Sequence, residues 1–361
     1  MTTRTNGTPD VDHLRRLPLP AWHPVQQVLL PGHEVARPAV PAIDVHNHLG
    51  RWLSHDSSWV VPDVDALLAV LDDCGIRSVV NLDGLWGDEL TANLERYDLA
   101  HPDRFVTFCQ LDWPMLAEPD GEQRLLDSLE DSARRGARGV KVWKHLGLQV
   151  RDGEGDLVLP DDPRVVRVLT RAGELGLPVL IHVADPKAFF EPLDERNERL
   201  DELLEVPEWW FGDRSRYPAF DAILTALEAL VVATPGTTYI GAHVGCAAED
   251  LDRVSALMDR APNWHVDLGG RLAEIGRQPR RFRRLVAAHP DRVLFGTDVY
   301  PPTAADYRVL FRFLETDDES FDYAPGAEVP PQGRWTVSGA ALPPELLPAL
   351  YAGNAARLLN L

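Results

Sequence analysis

From Ile43 onward the chain repeats one pattern, in which short apolar runs alternate with longer segments whose apolar residues recur at helical spacing. The runs fall at 43–48, 77–82, 105–110, 139–144, 178–182, 238–243, 264–268 and 292–298, each read as a strand. Between them the spacing predicts helices. Asp63 reads as the N-cap of a helix ending at Cys74, with Gly75 as its stop. Further helices are expected over 89–99, 121–135, 164–175 with Gly176 closing it, 219–234, 248–260 and 277–288. Two more helical pieces form a C-terminal tail ending near 351–359. Eight strands alternating with helices is the count of a (β/α)8 TIM barrel, whose strands all present their carboxyl ends to one face. A doubly wound open sheet is the competing α/β architecture, but it normally carries a Gly-rich phosphate loop after its first strand, and none is present here.

Two stretches stand outside the repeat. Residues 1–40 are rich in proline and lack periodicity, and read as an extended arm covering either the barrel bottom or a neighbouring subunit. Residues 41–361 then form a single barrel domain. Within it, residues 183–218 form a long insertion after the fifth strand, carrying Phe189, Phe190, Trp209, Trp210 and Phe211 among many charges. It follows the strand that ends in His182, so it is expected to lie over that face as a lid. The alternatives are that its aromatics are its own core or an oligomer interface.

Composition narrows the function. With 361 residues, 45% of them hydrophobic, the chain has enough apolar surface for a large core. A formal net charge of −20 argues against nucleic acid or an anionic membrane as partner. No run is long and apolar enough for a membrane helix, and the N-terminal stretch lacks a signal-peptide core. Three widely spaced cysteines, Cys74, Cys109 and Cys246, imply neither a disulfide framework nor a cysteine zinc site, so the cytoplasm is the expected compartment. The expected partner is a small-molecule substrate, with a homo-oligomer left open.

The chemistry sits at strand ends. In Ile43-Asp44-Val45-His46-Asn47-His48 the two histidines are two apart, so in a strand both face the same way. His182 ends the fifth strand, His243 the sixth and Asp298 the eighth. Four of twelve histidines therefore meet one carboxylate on one barrel face. Neutral imidazoles and a carboxylate suit Zn²⁺, with Mn²⁺ or Fe²⁺ as alternatives. A cation held there lowers the pKa of a bound water to about 7. Asp298 is placed to hold the metal and take the proton from that water, and His243 to bind a second metal or polarise the substrate.

Six stretches carry a resemblance: IDVHNHLG (43–50), GVKVWK (139–144), VLIHVADP (179–186), YIGAHVG (239–245), VLFGTDVYPP (293–302) and GNAARLL (353–359). In this order they resemble the amidohydrolase superfamily of metal-dependent hydrolases. The last stretch and the style of strands five, six and eight look like the amidohydrolase-related subgroup, which is similar to non-oxidative decarboxylases as well as to lactone and amide hydrolases. The resemblance implies a metal bound by His46, His48, His182 and Asp298, with His243 beside it. In binuclear members a lysine on strand four is carbamylated and bridges two metals. Strand alternation puts Lys141 and Trp143 on one face and Val140 and Val142 on the helix-packing face, so Lys141 points inside and is the candidate; Lys144 competes from the opposite face or the following loop. The alternative role for Lys141 is to pair with a carboxylate such as Asp83 or to bind a substrate anion.

Arg51, Trp52, His55 and Asp56 in the loop after strand one, together with Asp83, Trp143, Lys144 and Asp267 at other strand ends, are the candidate pocket residues. Asp83 and Asp267 have a hydrogen-bonded structural role as the alternative. Cys246 follows His243, but a cation-activated water leaves no need for a thiol nucleophile. The leading expectation is an enzyme that cleaves an amide, lactone or ester bond with one or two divalent ions. A metal-dependent non-oxidative decarboxylase is the second, and a non-catalytic metal-binding scaffold the third. The third is disfavoured because an ionisable set is costly to bury without use.

Overall fold

The computed structural model describes residues 11–18, 21–22, 24–54 and 56–361; His55 and the remainder of the arm lie outside them. Eight strands appear in chain order: β1 (Ala42–Asn47), β2 (Ile76–Asn81), β3 (Phe105–Thr107), β4 (Val140–Val142), β5 (Val179–Ile181), β6 (Tyr239–Gly241), β7 (Trp264–Asp267) and β8 (Val293–Leu294). The principal helices are α1 (Val64–Cys74), α2 (Gly87–Leu94), α3 (Gly121–Arg135), α4 (Pro163–Glu174), α5 (Leu200–Glu205), α6 (Phe220–Ala233), α7 (Leu251–Arg260), α8 (Pro279–Ala288), α9 (Ala304–Glu315) and α10 (Asn354–Leu359).

All strand pairs are parallel, in two runs ordered β1-β2-β3 and β4-β5-β6-β7-β8. Short seams join the runs. Cys109 bridges to Val140, with Cys109 N donating to Gly139 O at 2.9 Å and Lys141 N to Cys109 O at 2.7 Å. On the other side Val45 N donates to Phe295 O at 3.0 Å and Asp298 N to His46 O at 2.8 Å. The two seams complete the ring of a TIM barrel.

Local chemistry explains the element ends. Asp63 Oδ1 accepts from Ala66 N at 3.0 Å and caps α1. Gly75 ends that helix at φ 69°, a left-handed conformation that a side chain would strain. The predicted helix over 89–99 begins earlier, at Gly87, and its last turn, Glu95–Leu99, widens to a π-helix. Strands four to six are shorter than their apolar runs, because the chain leaves the ladder just where the chemistry-bearing side chains begin.

Two apolar layers follow from the period of two along each strand. Val79, Val140, Val142, Val179, Ile181 and Val266 face the helices. Ile43, Val45, Val80, Leu82, Phe108, Leu180, Ile240 and Leu294 fill the interior, joined by Ala355 and Leu359 of α10. The C-terminal helix therefore plugs the amino-terminal end of the barrel. It is held there by Asn354 Nδ2, which donates to Pro290 O and Val293 O at 2.9 Å each. The described part of the arm runs along the outside, with Ala39 N donating to Glu315 Oε1 at 2.9 Å and His33 N to Asp318 Oδ2 at 2.7 Å.

Candidate metal centre

β1 delivers His46, and the residue after it delivers His48; both are 1% exposed. Each ring is gripped on its outer nitrogen. His46 Nδ1 lies 2.8 Å from Asp267 Oδ2, and His48 Nδ1 lies 2.8 Å from Asp83 Oδ1. A carboxylate there fixes the tautomer, with the proton on Nδ1 and the lone pair of Nε2 turned inward. Asp298 Oδ1 faces both inner nitrogens, 3.4 Å from His46 Nε2 and 3.3 Å from His48 Nε2. His243 Nε2 lies 3.7 Å from Asp298 Oδ2, and His243 Nδ1 lies 2.7 Å from Gly269 O.

The backbone is bent to achieve this. His243, Val244 and Cys246 have φ of 60°, 58° and 59°, and Asp298 has 56°. Left-handed conformations at non-glycine residues cost energy, most of all at β-branched valine, and persist where the surroundings enforce them. Gly269 makes the close approach possible: a Cβ there would sit 3.0 Å from both Asp298 Cβ and His46 Nδ1.

Among the described residues, two groups converge closely enough to hold an ion: His46, His48 and Asp298, and His46, His243 and Asp267. Asp267 is already committed, accepting from His243 N at 3.0 Å and Gly269 N at 2.9 Å as well as holding His46. The first group is open. His48 Nε2 is buried without a hydrogen-bond partner; its 3.3 Å approach to Asp298 lacks hydrogen-bond geometry. Two acceptors facing each other at that distance call for positive charge between them. Burial opposes charge on His48, yet Asp83 and Asp298 raise its pKa. Burial alone would raise the Asp298 pKa, but His46, His48 and His243 hold it well below the usual carboxylate range. The donor set fits a divalent cation, which His46, His48 and Asp298 would hold.

The structure places the other candidates differently. His182 is in neither group. Its Nε2 is turned to Asp185 Oδ1 at 3.2 Å, and its ring packs edge-on to His243 with centroids 4.3 Å apart. Burial pushes its pKa down to about 3, leaving it neutral. Asp185 in turn is ion-paired with Lys144, so a buried pair competes for the His182 nitrogen. Lys141 lies inside, 1% exposed, with Nζ 3.2 Å from His46 Nε2 and 4.7 Å from the Trp143 ring centre. Burial lowers its pKa to about 8. It does not pair with Asp83, which His48 occupies.

Asp83 and Asp267 are fully buried supports of the histidines, a correction to their place among pocket residues. Arg51 is likewise withdrawn, its Nε donating to Glu89 Oε1 at 3.0 Å while its guanidinium covers the Trp59 ring at 4.7 Å. Lys144 is spent on Asp185. Trp52 and Trp143 do line a cavity, of about 420 Å³, that reaches Lys141. Burial pushes the Cys246 thiol up to about 11, so it is no thiolate.

A second cavity, of about 710 Å³, opens onto Asp298, with walls that include Phe189, Trp209, Arg271, Tyr300 and Arg334. The insertion thus contributes Trp209 to this wall. Phe211 instead packs inward against Phe190 and Tyr217, with ring centres 5.4 and 5.1 Å away, so part of the aromatic cluster is the insertion's own core. A cleft of about 780 Å³ between the arm and the start of α8 contains none of these donors. Sequence reasoning missed Arg271, which is 7% exposed and donates from Nη1 to Gly270 O at 2.9 Å. Its signal was its place in Gly269-Gly270-Arg271, just past the strand that ends in Asp267.

Comparison with known proteins gives the family and supports the fold. The family model described as amidohydrolase matches residues 43–361. A 2,6-dihydroxybenzoate decarboxylase from Rhizobium has 15% sequence identity and a TM-score of 0.56, over 89% of this chain and 99% of that one. A dihydroxybenzoic acid decarboxylase from Polaromonas sp., with bound manganese and the inhibitor 2-nitroresorcinol, has 14% identity and a TM-score of 0.51, over 89% and 97%. An amidohydrolase from Burkholderia multivorans with bound zinc has 15% identity and a TM-score of 0.50, over 89% and 99%. At these identities the likeness is one of fold. No curated protein sequence matches this chain. Among the described residues no helix is long and apolar enough to cross a membrane. With a family match spanning the whole barrel and a histidine–aspartate donor set on its carboxyl-end face, the chain belongs to the amidohydrolase family.

Proposed function

We propose that the protein is a metal-dependent hydrolase that cleaves an ester, lactone or amide bond in a small molecule bearing an anionic group. The observation that carries this reading is the Asp298 carboxylate, with one oxygen facing His46 and His48 and the other facing His243. A divalent cation, most simply Zn²⁺, supplies Lewis acidity there, lowering the pKa of water to about 7 and polarising a substrate oxygen.

The chain's own residues supply the rest. Asp83 and Asp267 keep the two histidines oriented with inner lone pairs free. Asp298, held ionised, accepts the proton as the nucleophile forms and returns it to the leaving group. Burial, reinforced by Arg271, keeps His243 neutral. Its Nδ1 donates to Gly269 O, which leaves Nε2 as an acceptor for a substrate or water O–H. Arg271, nearly buried beside Asp298, offers its remaining guanidinium donors to a substrate anion.

Decarboxylation of an aromatic acid is the second reading, favoured by the Phe189, Trp209 and Tyr300 walls beside Arg271 and by the fold's likeness to proteins named dihydroxybenzoate decarboxylases. The test is metal analysis of the purified protein and of His46→Ala with His48→Ala, followed by a screen of lactones, esters, amides and aromatic acids. The expected result is a divalent metal in the wild type, less than a tenth of it in the double variant, and hydrolysis without CO2 release. Full metal occupancy in the folded double variant would refute the centre. CO2 release from an aromatic acid would move the assignment to the second reading.

A further inference from the structure

Four of the chain's ten tryptophans stand beyond four consecutive strands: Trp52 after β1, Trp86 after β2, Trp113 after β3 and Trp143 after β4. Together they wall the cavity of about 420 Å³ whose lining also includes Lys141. That volume lies within the range of roughly 300–1,000 Å³ typical of small-molecule sites. Core packing accounts for Trp113, which is 4% exposed and joins the main apolar core, but not for Trp52, Trp86 and Trp143, which are only partly buried.

The lining specifies the ligand. Trp52 and Trp143 meet with ring centres 4.4 Å apart and planes at 45°, a splayed pair rather than a parallel slot for a flat aromatic ring. Gln110, Asp112 and Gln149 place amide donors, amide acceptors and a carboxylate on the same lining. Gln110 is held in place through Nε2, which donates to Leu82 O at 2.9 Å, so its amide oxygen remains as an acceptor. A mixed set of donors and acceptors suits hydroxyl groups, each of which both donates and accepts. Indole faces at several tilts suit the C–H faces of a puckered saturated ring. Asp112 and Lys141 bring opposite charges to the lining, so it carries no net preference for an anion.

We propose that this cavity is a binding subsite for a neutral polyhydroxylated ring, a sugar ring or its close chemical equivalent. Lys141 belongs both to this lining and to the metal centre, with Nζ 3.2 Å from His46 Nε2. The sugar-like half of a substrate seated among the tryptophans therefore presents its reacting group to the centre, and the anionic part extends toward Arg271. That last role rests on the proposed function; the ligand class does not.

The experiment titrates the full-length protein with methyl β-glucopyranoside, methyl β-galactopyranoside, methyl β-xylopyranoside and methyl α-rhamnopyranoside, with benzoate as the aromatic control. Tryptophan fluorescence and saturation-transfer NMR are read together. At least one glycoside is expected to bind saturably, and Trp86→Ala and Gln149→Ala, both at partly exposed or loop positions and checked for an unchanged melting temperature, each to weaken it roughly tenfold. Binding should survive in the metal-free His46→Ala with His48→Ala protein, which separates failure of this subsite from failure of the metal centre. The proposal is overturned if no glycoside in the panel binds, if benzoate alone binds, or if both cavity variants bind as tightly as the wild type.

Discussion

The two halves of the barrel's carboxyl-end face are built on opposite principles. Beyond β1 to β4 the cavity wall is dominated by four tryptophans and two amides, with Asp112 and Lys141 as its charged residues. Beyond β5 to β8 the cavity is lined by charge, with Arg199, Asp201, Glu202, Arg271, Asp298 and Arg334 among its residues. The charged half also holds the buried ion pair of Arg199 with Glu274, and its Asp185 pairs with Lys144 from beyond β4. A buried charge needs a partner and satisfied hydrogen bonds, whereas an indole ring needs only to be covered. The tryptophan half therefore manages with connections before α1 to α3. The charged half recruits the insertion, which brings Arg199 to Glu274, and the tail, where Arg334 Nε donates to Asp201 Oδ2 at 2.7 Å. The difference teaches that long excursions here serve as sources of counter-ions as well as covers.

The largest effect that would sharpen this contrast comes from Asp298, the carboxylate between the halves. Asp298→Asn keeps the size and one oxygen ligand but cannot take a proton, so kcat should fall by on the order of 10²–10⁴ with most of the metal retained. Steady-state rates and metal content on the same sample check this. An activity loss that follows metal occupancy and returns with excess metal would assign Asp298 to metal binding alone.

Next is the buried pair of the charged half. Arg199 and Glu274 side chains are each 1% exposed, and Glu274 Oε2 has no further partner. Arg199→Met strands a buried carboxylate and should cost about 3–5 kcal/mol by chemical denaturation, with Arg199→Met plus Glu274→Leu recovering much of it. Equal losses in the single and double variants would mean that packing, not charge pairing, holds the insertion down.

Arg271 tests whether the charged half selects anions. Arg271→Met should raise KM for an anionic substrate by roughly 10–100-fold, the worth of a charged hydrogen bond of about 1.5–3 kcal/mol, and leave a neutral analogue nearly unaffected. An equal rise for both would break the division of labour between the halves.

The smallest expected effect is on pH stability. Burial, with Arg292 nearby, pushes His265 on β7 from 6.5 to about 4. Between those values the unfolded chain binds a proton that the folded chain refuses, so stability falls as pH drops through that window. His265 should contribute about 2 kcal/mol of loss by pH 5, and His265→Gln should flatten the melting-temperature slope between pH 7 and 5. An unchanged slope would show that the acid sensitivity lies elsewhere.

The sequence by itself determined the ladder of strands and helices, since periodicity, the Asp63 cap and the Gly75 stop act among near neighbours. It also put His46 and His48 on one face and Lys141 inside, because strand alternation is a local property. Only the tertiary structure decided which side chains pair. Asp83 reaches His48 across 35 residues, and Asp267 reaches His46 across 221, and nothing local distinguishes such supports from pocket residues. His182 turned to Asp185 because the Lys144 pair stands beside it, a competition settled only when β4 and β5 lie side by side. Trp52, Trp86, Trp113 and Trp143 meet at one cavity only once β1 to β4 lie side by side. Arg271 became part of the site, and α10 the plug of the barrel, for the same reason: contacts between distant segments depend on how the ring closes, which no short window of the chain encodes.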